Sequence, residues 1–158
     1  MPKILLALFL CTLILSAQSI RFTEAKYYAA LDKTLNKKGN IHFTKDAMEI
    51  VYDDKSILRY SGDFLIRQKG KKTQKIDLKK KPAMKMFFVL FEAIYFEKKK
   101  VLRSYFDMQQ VKGIMVLTPK KGISRYITGV RYQKRKKKLD FLEIHLSTKD
   151  RIRIEEIR

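Results

Sequence analysis

Cysteine, histidine and tryptophan are nearly absent from this chain of 158 residues, which holds one cysteine, two histidines and no tryptophan. The single Cys11 lies in an apolar run near the N-terminus, so the chain can form no internal disulfide and no site with several thiolate ligands. His42 and His145 are far apart, and neither belongs to an H-x-H or H-E-x-x-H pattern. We therefore expect no metal site and interpret both histidines as surface or hydrogen-bonded residues.

The sequence also lacks the combinations of residues that commonly carry out catalysis. The acidic pairs Asp53-Asp54 and Glu155-Glu156 are adjacent in the sequence, so on an extended backbone their side chains point to opposite faces. The chain has no G-x-S-x-G motif and no phosphate-binding loop. The sequence thus predicts neither an enzyme nor a protein that depends on a cofactor.

Acidic residues are few compared with basic ones: 16 aspartates and glutamates face 36 lysines and arginines, which gives a formal net charge of +20. A chain this basic attracts polyanions, either nucleic acid or an anionic membrane surface. The composition alone leaves both partners open.

The N-terminus favours the membrane. Lys3, the uncharged apolar run Ile4–Leu15 and the small residues up to Ser19 are typical of a signal peptide over residues 1–19, cleaved after Ser19. An uncleaved anchor is the alternative, but the run is short for a bilayer span. We expect export to the periplasm, one domain over residues 20–158, and a lipid rather than a nucleic-acid partner.

After the predicted signal peptide, a long apolar run occurs only at residues 82–96. Elsewhere, short segments of alternating polar and apolar residues are separated by turn residues. This pattern is typical of an antiparallel β protein. We expect ten or eleven strands, with a turn at Lys37–Asn40, a strand at Met48–Tyr52 and another over 102–110. So many strands in a small domain predict a mainly β fold, an incomplete (half-open) antiparallel β-barrel around a covering helix.

The covering helix is predicted at Pro82–Phe96, where only Lys85 and Glu92 interrupt the apolar residues from Ala83 onward. Proline suits the first helical turn, and we expect this to be the only long helix of the exported chain. At about 1.5 Å per residue it is too short to cross a bilayer. A helix that is apolar nearly all round is buried on more than one side. It is either an ordinary core helix or the cover of an apolar cavity.

Basic residues cluster in two stretches, Arg67–Lys81 and Arg131–Lys138. One interpretation is a pair of solvated hairpin tips, and another is a secreted polyanion-binding module. A third is docking on anionic headgroups, where each basic residue contributes about 1 kcal/mol. The residues predicted to contact an anionic surface are Lys71, Lys72, Lys79, Lys80, Lys81, Lys134, Arg135, Lys136 and Lys137.

Three short motifs together resemble the periplasmic outer-membrane lipoprotein carrier family (LolA-like). They are the F-T-E of residues 22–24, the G-x-I-x-F-x-K pattern from Gly39 to Lys45, and the segment Met115–Lys120, which ends in L-T-P-K. The predicted signal peptide runs almost directly into Phe22, so we expect no helix before the first strand, where the family usually has one. The chain also has Asp46-Ala47 in place of the family's Arg-Pro, so the arginine that holds the family's lid closed has no counterpart.

The resemblance implies an apolar cavity that holds acyl chains between an incomplete barrel and its covering helix. It implies a chaperone that takes lipoproteins from an inner-membrane ABC exporter to an outer-membrane acceptor; a carrier of another lipid or glycolipid is the alternative. We expect a monomer. The predicted lipid-binding residues are Met84, Phe87, Phe88, Leu90, Phe91, Ile94 and Tyr95 in the helix, and Ile41, Phe43, Ile50 and Tyr52 in the strands.

Overall fold

The computed structural model describes residues 18–157, which form eleven strands and two α-helices. The helices α1 (Pro82–Tyr95) and α2 (Lys99–Tyr105) both lie between the sixth and seventh strands. Residues 1–17, which hold most of the predicted signal peptide, lie outside the described residues. The strands are β1 Gln18–Tyr28, β2 Lys33–Phe43, β3 Met48–Tyr52, β4 Ile57–Ser61, β5 Phe64–Lys69, β6 Lys72–Asp77, β7 Phe106–Val111, β8 Ile114–Pro119, β9 Ile127–Arg135, β10 Lys138–Leu146 and β11 Arg151–Glu156.

All eleven strands belong to one antiparallel sheet in the order β6-β5-β4-β3-β2-β1-β11-β10-β9-β8-β7. Strands that are neighbours in the sheet are also consecutive in the sequence, except that the first and last strands pair at the centre, with Phe22 opposite Glu156. β6 and β7 are the two edges, so the sheet is open within residues 18–157. The predicted mainly β fold with ten or eleven antiparallel strands is confirmed, as a sheet that is not closed.

The first strand begins just before the predicted mature N-terminus. Gln18 pairs with Phe43 and Ser19 with His42, and the Gln18 side-chain amide donates a hydrogen bond of 3.0 Å to the Tyr95 hydroxyl. Cleavage after Ser19 would remove these contacts. The position of the cleavage site stays a prediction.

Alternation along the strands decides which face of the sheet is buried. In β3, Met48, Ile50 and Tyr52 are buried, whereas Glu49 and Val51 between them are partly exposed. The register places the buried residues of β1 and β2, among them Phe22 and Ile41, on the same face. We call this the inner face; the helix α1 packs against it.

Gly39 allows β1, β2 and β3 to approach closely on the inner face. It lies opposite Phe22 in β1 and Tyr52 in β3, and a Cβ atom built on it would be 2.5 Å from the carbonyl oxygen of Val51. The predicted turn at Lys37–Asn40 is therefore wrong. β2 runs unbroken through these residues, and the glycine supplies space for its neighbours rather than a reversal of the chain.

The helix α1 starts at Pro82, as the sequence predicts, and Phe96 follows as its C-terminal cap. The expectation of a single helix is not confirmed, because α2 occupies residues 99–105, where we predicted the start of a strand. Val101, Leu102 and Tyr105 fit a helical period as well as strand alternation, and so short a segment is ambiguous by pattern alone. No helix within residues 18–157 combines the length and the apolarity needed to span a bilayer.

Candidate functional site

The C-terminal half of α1 fills the inner face with stacked aromatic rings. The ring of Phe43 in β2 lies parallel to those of Tyr95 and Phe91, with centroids 4.8 and 5.9 Å away. In the middle of α1, where the two halves meet, Phe88 stacks on Tyr60 of β4 at 4.7 Å. Such pairs contribute about 0.5–1.5 kcal/mol beyond the burial of their area. This half of α1 is core.

The N-terminal half of α1 instead covers a cavity of about 510 Å³. The roof comes from the first turns of the helix, and the floor from side chains of β1 to β6 and β11. The apolar and aromatic lining consists of Tyr52, Leu58, Leu65, Ile76, Pro82, Ala83, Met84, Phe87, Phe88, Tyr126 and Ile152. The polar lining consists of Glu24, Lys26, Lys37, Asp54, Ser56, Arg67, Lys69, Lys80 and Lys81.

A hydrogen-bonded pair forms part of the cavity wall. The Tyr52 hydroxyl donates to Oε2 of Glu24 at 3.0 Å, and Lys37, the partner of Glu24 in β2, places its Nζ 4.5 Å from the centre of the Tyr52 ring. Burial raises the pKa of the Glu24 carboxyl, although the hydrogen bond and the charges of Lys37 and Lys26 oppose the shift. Burial and the Glu24 charge raise the pKa of Tyr52, so its hydroxyl remains a donor.

The structure brings four of the eleven predicted lipid-binding residues to this cavity: Tyr52, Met84, Phe87 and Phe88. The other seven lie elsewhere in the hydrophobic core, with exposed fractions of 8% or less. They are Ile41, Phe43, Ile50, Leu90, Phe91, Ile94 and Tyr95. Lipid contact by any of the eleven stays a prediction.

Most apolar residues of the cavity floor were not among the lipid-binding residues predicted from the sequence. Leu58, Leu65, Ile76 and Ile152 line the cavity, and strand alternation places each of them on the inner face. That signal identifies the face on which a residue lies. It does not show where the helix leaves a space above it.

A second depression, of about 640 Å³, shares Glu24, Lys37, Tyr52 and Asp54 with the cavity. Its other lining residues are polar or small, and its charged groups are engaged with one another or with neighbours. Arg153 pairs with Glu155 at 2.6 Å, and Asp53 accepts from Arg21 at 2.6 Å. Within residues 18–157, Tyr52 and Ala25 are the only apolar residues that line this depression, so the cavity under α1 is the better candidate for an acyl chain.

The two predicted basic clusters do not form one surface. Arg67–Lys81 spans β5 and β6, Arg131–Lys138 spans β9 and β10, and five strands of the sheet separate them. This arrangement gives no support to a single polyanion-binding surface built from both.

Several of the predicted surface cations have structural partners. Lys134 is 12% exposed and donates to the carbonyl oxygen of Tyr95 at 2.8 Å and to Glu97 at 3.1 Å, so it caps the end of α1. Arg135 pairs with Asp140, and Lys79 lies 3.5 Å from Asp63. The remaining predicted contacts are exposed: Lys71 and Lys72 at the β5–β6 turn, Lys80 and Lys81 before α1, and Lys136 and Lys137 at the β9–β10 turn.

The histidines lie apart from the cavity, whereas Asp54 of one acidic pair belongs to its polar lining. His145 lies 2.6 Å from Glu143, which also contacts Arg153. His42 lies opposite Glu49 in the backbone register of β2 and β3. No group of three or more potential metal ligands occurs within residues 18–157. By its lining, the cavity can hold an apolar chain and contact a polar group at its rim.

In structural terms the protein is an open antiparallel sheet whose inner face is covered by a helix, with an apolar cavity and a basic rim under the start of that helix. No protein-family model matches the chain, and no curated protein sequence matches it. The chain is similar to the crystal structure of the Mycobacterium tuberculosis lipoprotein LppX, with a TM-score of 0.44 and 10% identity over 90% of this chain and 86% of that chain. A likeness at this level carries no argument about function.

Proposed function

We propose that the protein is a carrier that shields the acyl chain of a lipid or of an acylated lipoprotein under the N-terminal half of α1. The observation that carries this proposal is the cavity of about 510 Å³ with a mainly apolar lining. Binding and release of a chain need apolar walls that can adapt, and no catalytic group. Methionine suits such a wall because its side chain is flexible and polarizable, and Met84 is 39% exposed beside the cavity.

The size of the cavity suits a single chain. An engineered cavity of about 150 Å³ holds one benzene molecule, and small-molecule sites usually enclose about 300–1,000 Å³. Each methylene that leaves water contributes about 0.8 kcal/mol. One acyl chain in the cavity would thus be bound firmly enough to be carried through water.

The cellular part of the proposal is supported by the sequence. The predicted signal peptide and the three LolA-like motifs support a periplasmic carrier that passes lipoproteins from an inner-membrane exporter to an outer-membrane acceptor. A carrier of another lipid or glycolipid uses the same cavity. Mass spectrometry of lipids extracted from the protein, purified from its native periplasm, distinguishes these cargoes.

A single substitution tests the cavity itself. Met84→Glu puts a charge on an exposed helical position of the roof, so we expect a folded protein that binds palmitoyl-lysophosphatidylcholine at least about tenfold more weakly, since burying a charge in an apolar site is costly. Val111→Glu is the matched control, because Val111 is 43% exposed and lies outside the cavity. Phe91 is a poor choice for this test, since it is 1% exposed and a charge there would unfold the protein.

Isothermal titration calorimetry and circular dichroism are the measurements. Equal affinity in the wild type and in a folded Met84→Glu variant would contradict the proposal, as would an equal loss in the Val111→Glu control.

A further inference from the structure

Strand alternation directs cations toward the apolar inner face at the rim of the cavity. In β5, Arg67 and Lys69 follow Leu65 at every second residue, and Arg67 lies opposite Leu58 of β4. In β1, Lys26 follows Glu24 in the same way. Arg67 and Lys69 are exposed to water although they follow the inner-face alternation. They are therefore accessible to a ligand whose apolar part lies beside them in the cavity.

The rim carries six cations and two acids, and most of the cations are without ion-pair partners. Lys26, Arg67, Lys69, Lys80 and Lys81 form no ion pair within residues 18–157. The sixth, Lys37, lies 3.9 Å from Asp54.

The two acids of the rim are already engaged. Asp54 accepts hydrogen bonds of 2.5 and 2.9 Å from the side chain and backbone of Ser56, and Glu24 accepts from Tyr52 at 3.0 Å. Because six cations face only two acids within residues 18–157, the rim keeps an excess of positive charge even when both carboxylates are ionised.

The start of α1 adds to this positive field. Its N-terminal cap, Lys81, makes no capping hydrogen bond through its side chain, and the first turn contains no acidic residue. The free backbone N–H groups and the positive end of the helix dipole favour an anion there. Because Lys81, Pro82 and Ala83 line the cavity, this helix end and the cations of β5 act on the same opening.

We propose that the cargo is an anionic amphiphile, whose acyl chain occupies the cavity and whose carboxylate or phosphate contacts the rim formed by Arg67, Lys69, Lys80 and Lys81. This inference rests on the proposed function and names its ligand class. The guanidinium of Arg67 offers a planar fork that matches either anion. The lysines supply further charge without fixing one headgroup geometry.

The test compares two pairs of ligands with matched chains, each used below its micelle concentration, on the full exported chain in 150 mM salt. One pair is palmitate and methyl palmitate, and the other is palmitoyl-lysophosphatidylglycerol and palmitoyl-lysophosphatidylcholine. The first pair asks whether a free fatty acid is the source of the anion, and the second asks whether a phospholipid is. We expect the anionic member of at least one pair to bind roughly tenfold or more tightly.

Two triple variants locate the effect. In R67Q/K69Q/K80Q the preference for the anionic ligand should disappear, while the zwitterionic or uncharged ligand binds as before. K100Q/K121Q/K138Q removes the same charge from exposed positions outside the cavity, and the preference should persist there.

The possible outcomes distinguish the anionic-cargo inference from the carrier function. Equal affinity for anionic and matched ligands in the wild type would overturn this inference and leave the carrier function standing, and so would an equal loss of preference in both triple variants. Failure of every ligand to bind to the folded protein would overturn the carrier function itself.

Discussion

The two halves of α1 face the same sheet and make opposite kinds of contact. In the C-terminal half, Leu90, Phe91 and Ile94 are each 1% exposed and pack in the core. In the N-terminal half, Met84 is 39% exposed and roofs a cavity. Hydrophobicity along the helix is similar in both halves, so the difference comes from the strands. The sheet presents the stacking ring of Phe43 to one half, and to the other it presents aliphatic side chains interrupted by Arg67 and Glu24.

This contrast shows that an apolar helix can be core along one half and cover along the other. The packed half anchors α1 to the sheet, so the other half can border a space without the helix detaching.

The largest effect is expected in the aromatic stack. Phe91→Ala removes a ring that lies parallel to both Phe43 and Tyr95 and should lower the free energy of unfolding by about 3–5 kcal/mol. Met84→Ala, the matched change in the other half of α1, should cost less than about 1 kcal/mol, since the side chain is half exposed. Urea unfolding followed by circular dichroism measures both; similar losses would erase the distinction between the halves.

The close packing at Gly39 gives the next effect. Gly39→Ala should destabilise the protein by about 1–3 kcal/mol, because the added methyl meets the backbone of β3 and must displace it. Gly129→Ala in β9 is the control, because a Cβ there meets no atom within 4 Å. If both alanines were tolerated equally in urea unfolding, the tight approach of β1, β2 and β3 would be disproved.

The third largest loss of stability is expected where Lys134 holds the C-terminal end of α1. Lys134→Met removes the ammonium that caps the Tyr95 carbonyl and pairs with Glu97, and should cost about 1–2 kcal/mol. Lys138→Met changes an exposed lysine one hairpin position away and should be nearly neutral. Thermal unfolding compares the two variants. A neutral Lys134→Met would show that the packed half of α1 is held by apolar contacts alone.

The smallest effect concerns pH and belongs to the cavity half. Burial raises the pKa of Glu24 above that of the unfolded chain, so the folded state binds this proton more tightly. Stability is lost as the pH rises from the ordinary carboxyl range through the raised pKa. Glu24→Gln lacks this loss, and its stability relative to the wild type should increase between pH 4 and pH 7. A relative stability that falls over this range would contradict the assigned burial.

The sequence predicted the elements that depend on local pattern. Alternation located β3 at Met48–Tyr52, and Pro82 marked the start of α1. The sequence did not predict structure that depends on residues distant in the chain. Gly39 lies within a strand because Phe22 and Val51 need its space. Residues 99–105 become helical although their alternation also fits a strand.

The candidate site was predicted only in part for the same reason. The apolar run of α1 contains Met84 and Phe87, which line the cavity, but it could not separate them from Phe91, which has the same composition around it. Lys134 looked like a surface cation because its partner carbonyls belong to a helix about forty residues earlier. Which face is buried can be learned from periodicity, whereas which part of that face stays open depends on three-dimensional packing.

Photo-crosslinking with a palmitoyl-lysolipid that carries a diazirine near the end of its chain shows directly whether an acyl chain lies under the N-terminal half of α1. Mass spectrometry of the crosslinked peptides should place the chain at Met84, Phe87, Leu58 or Ile76, with competition by unlabelled lysolipid. Crosslinks confined to exposed apolar residues outside the cavity, such as Leu31 and Val111, would show that the helix α1 covers no acyl-binding site.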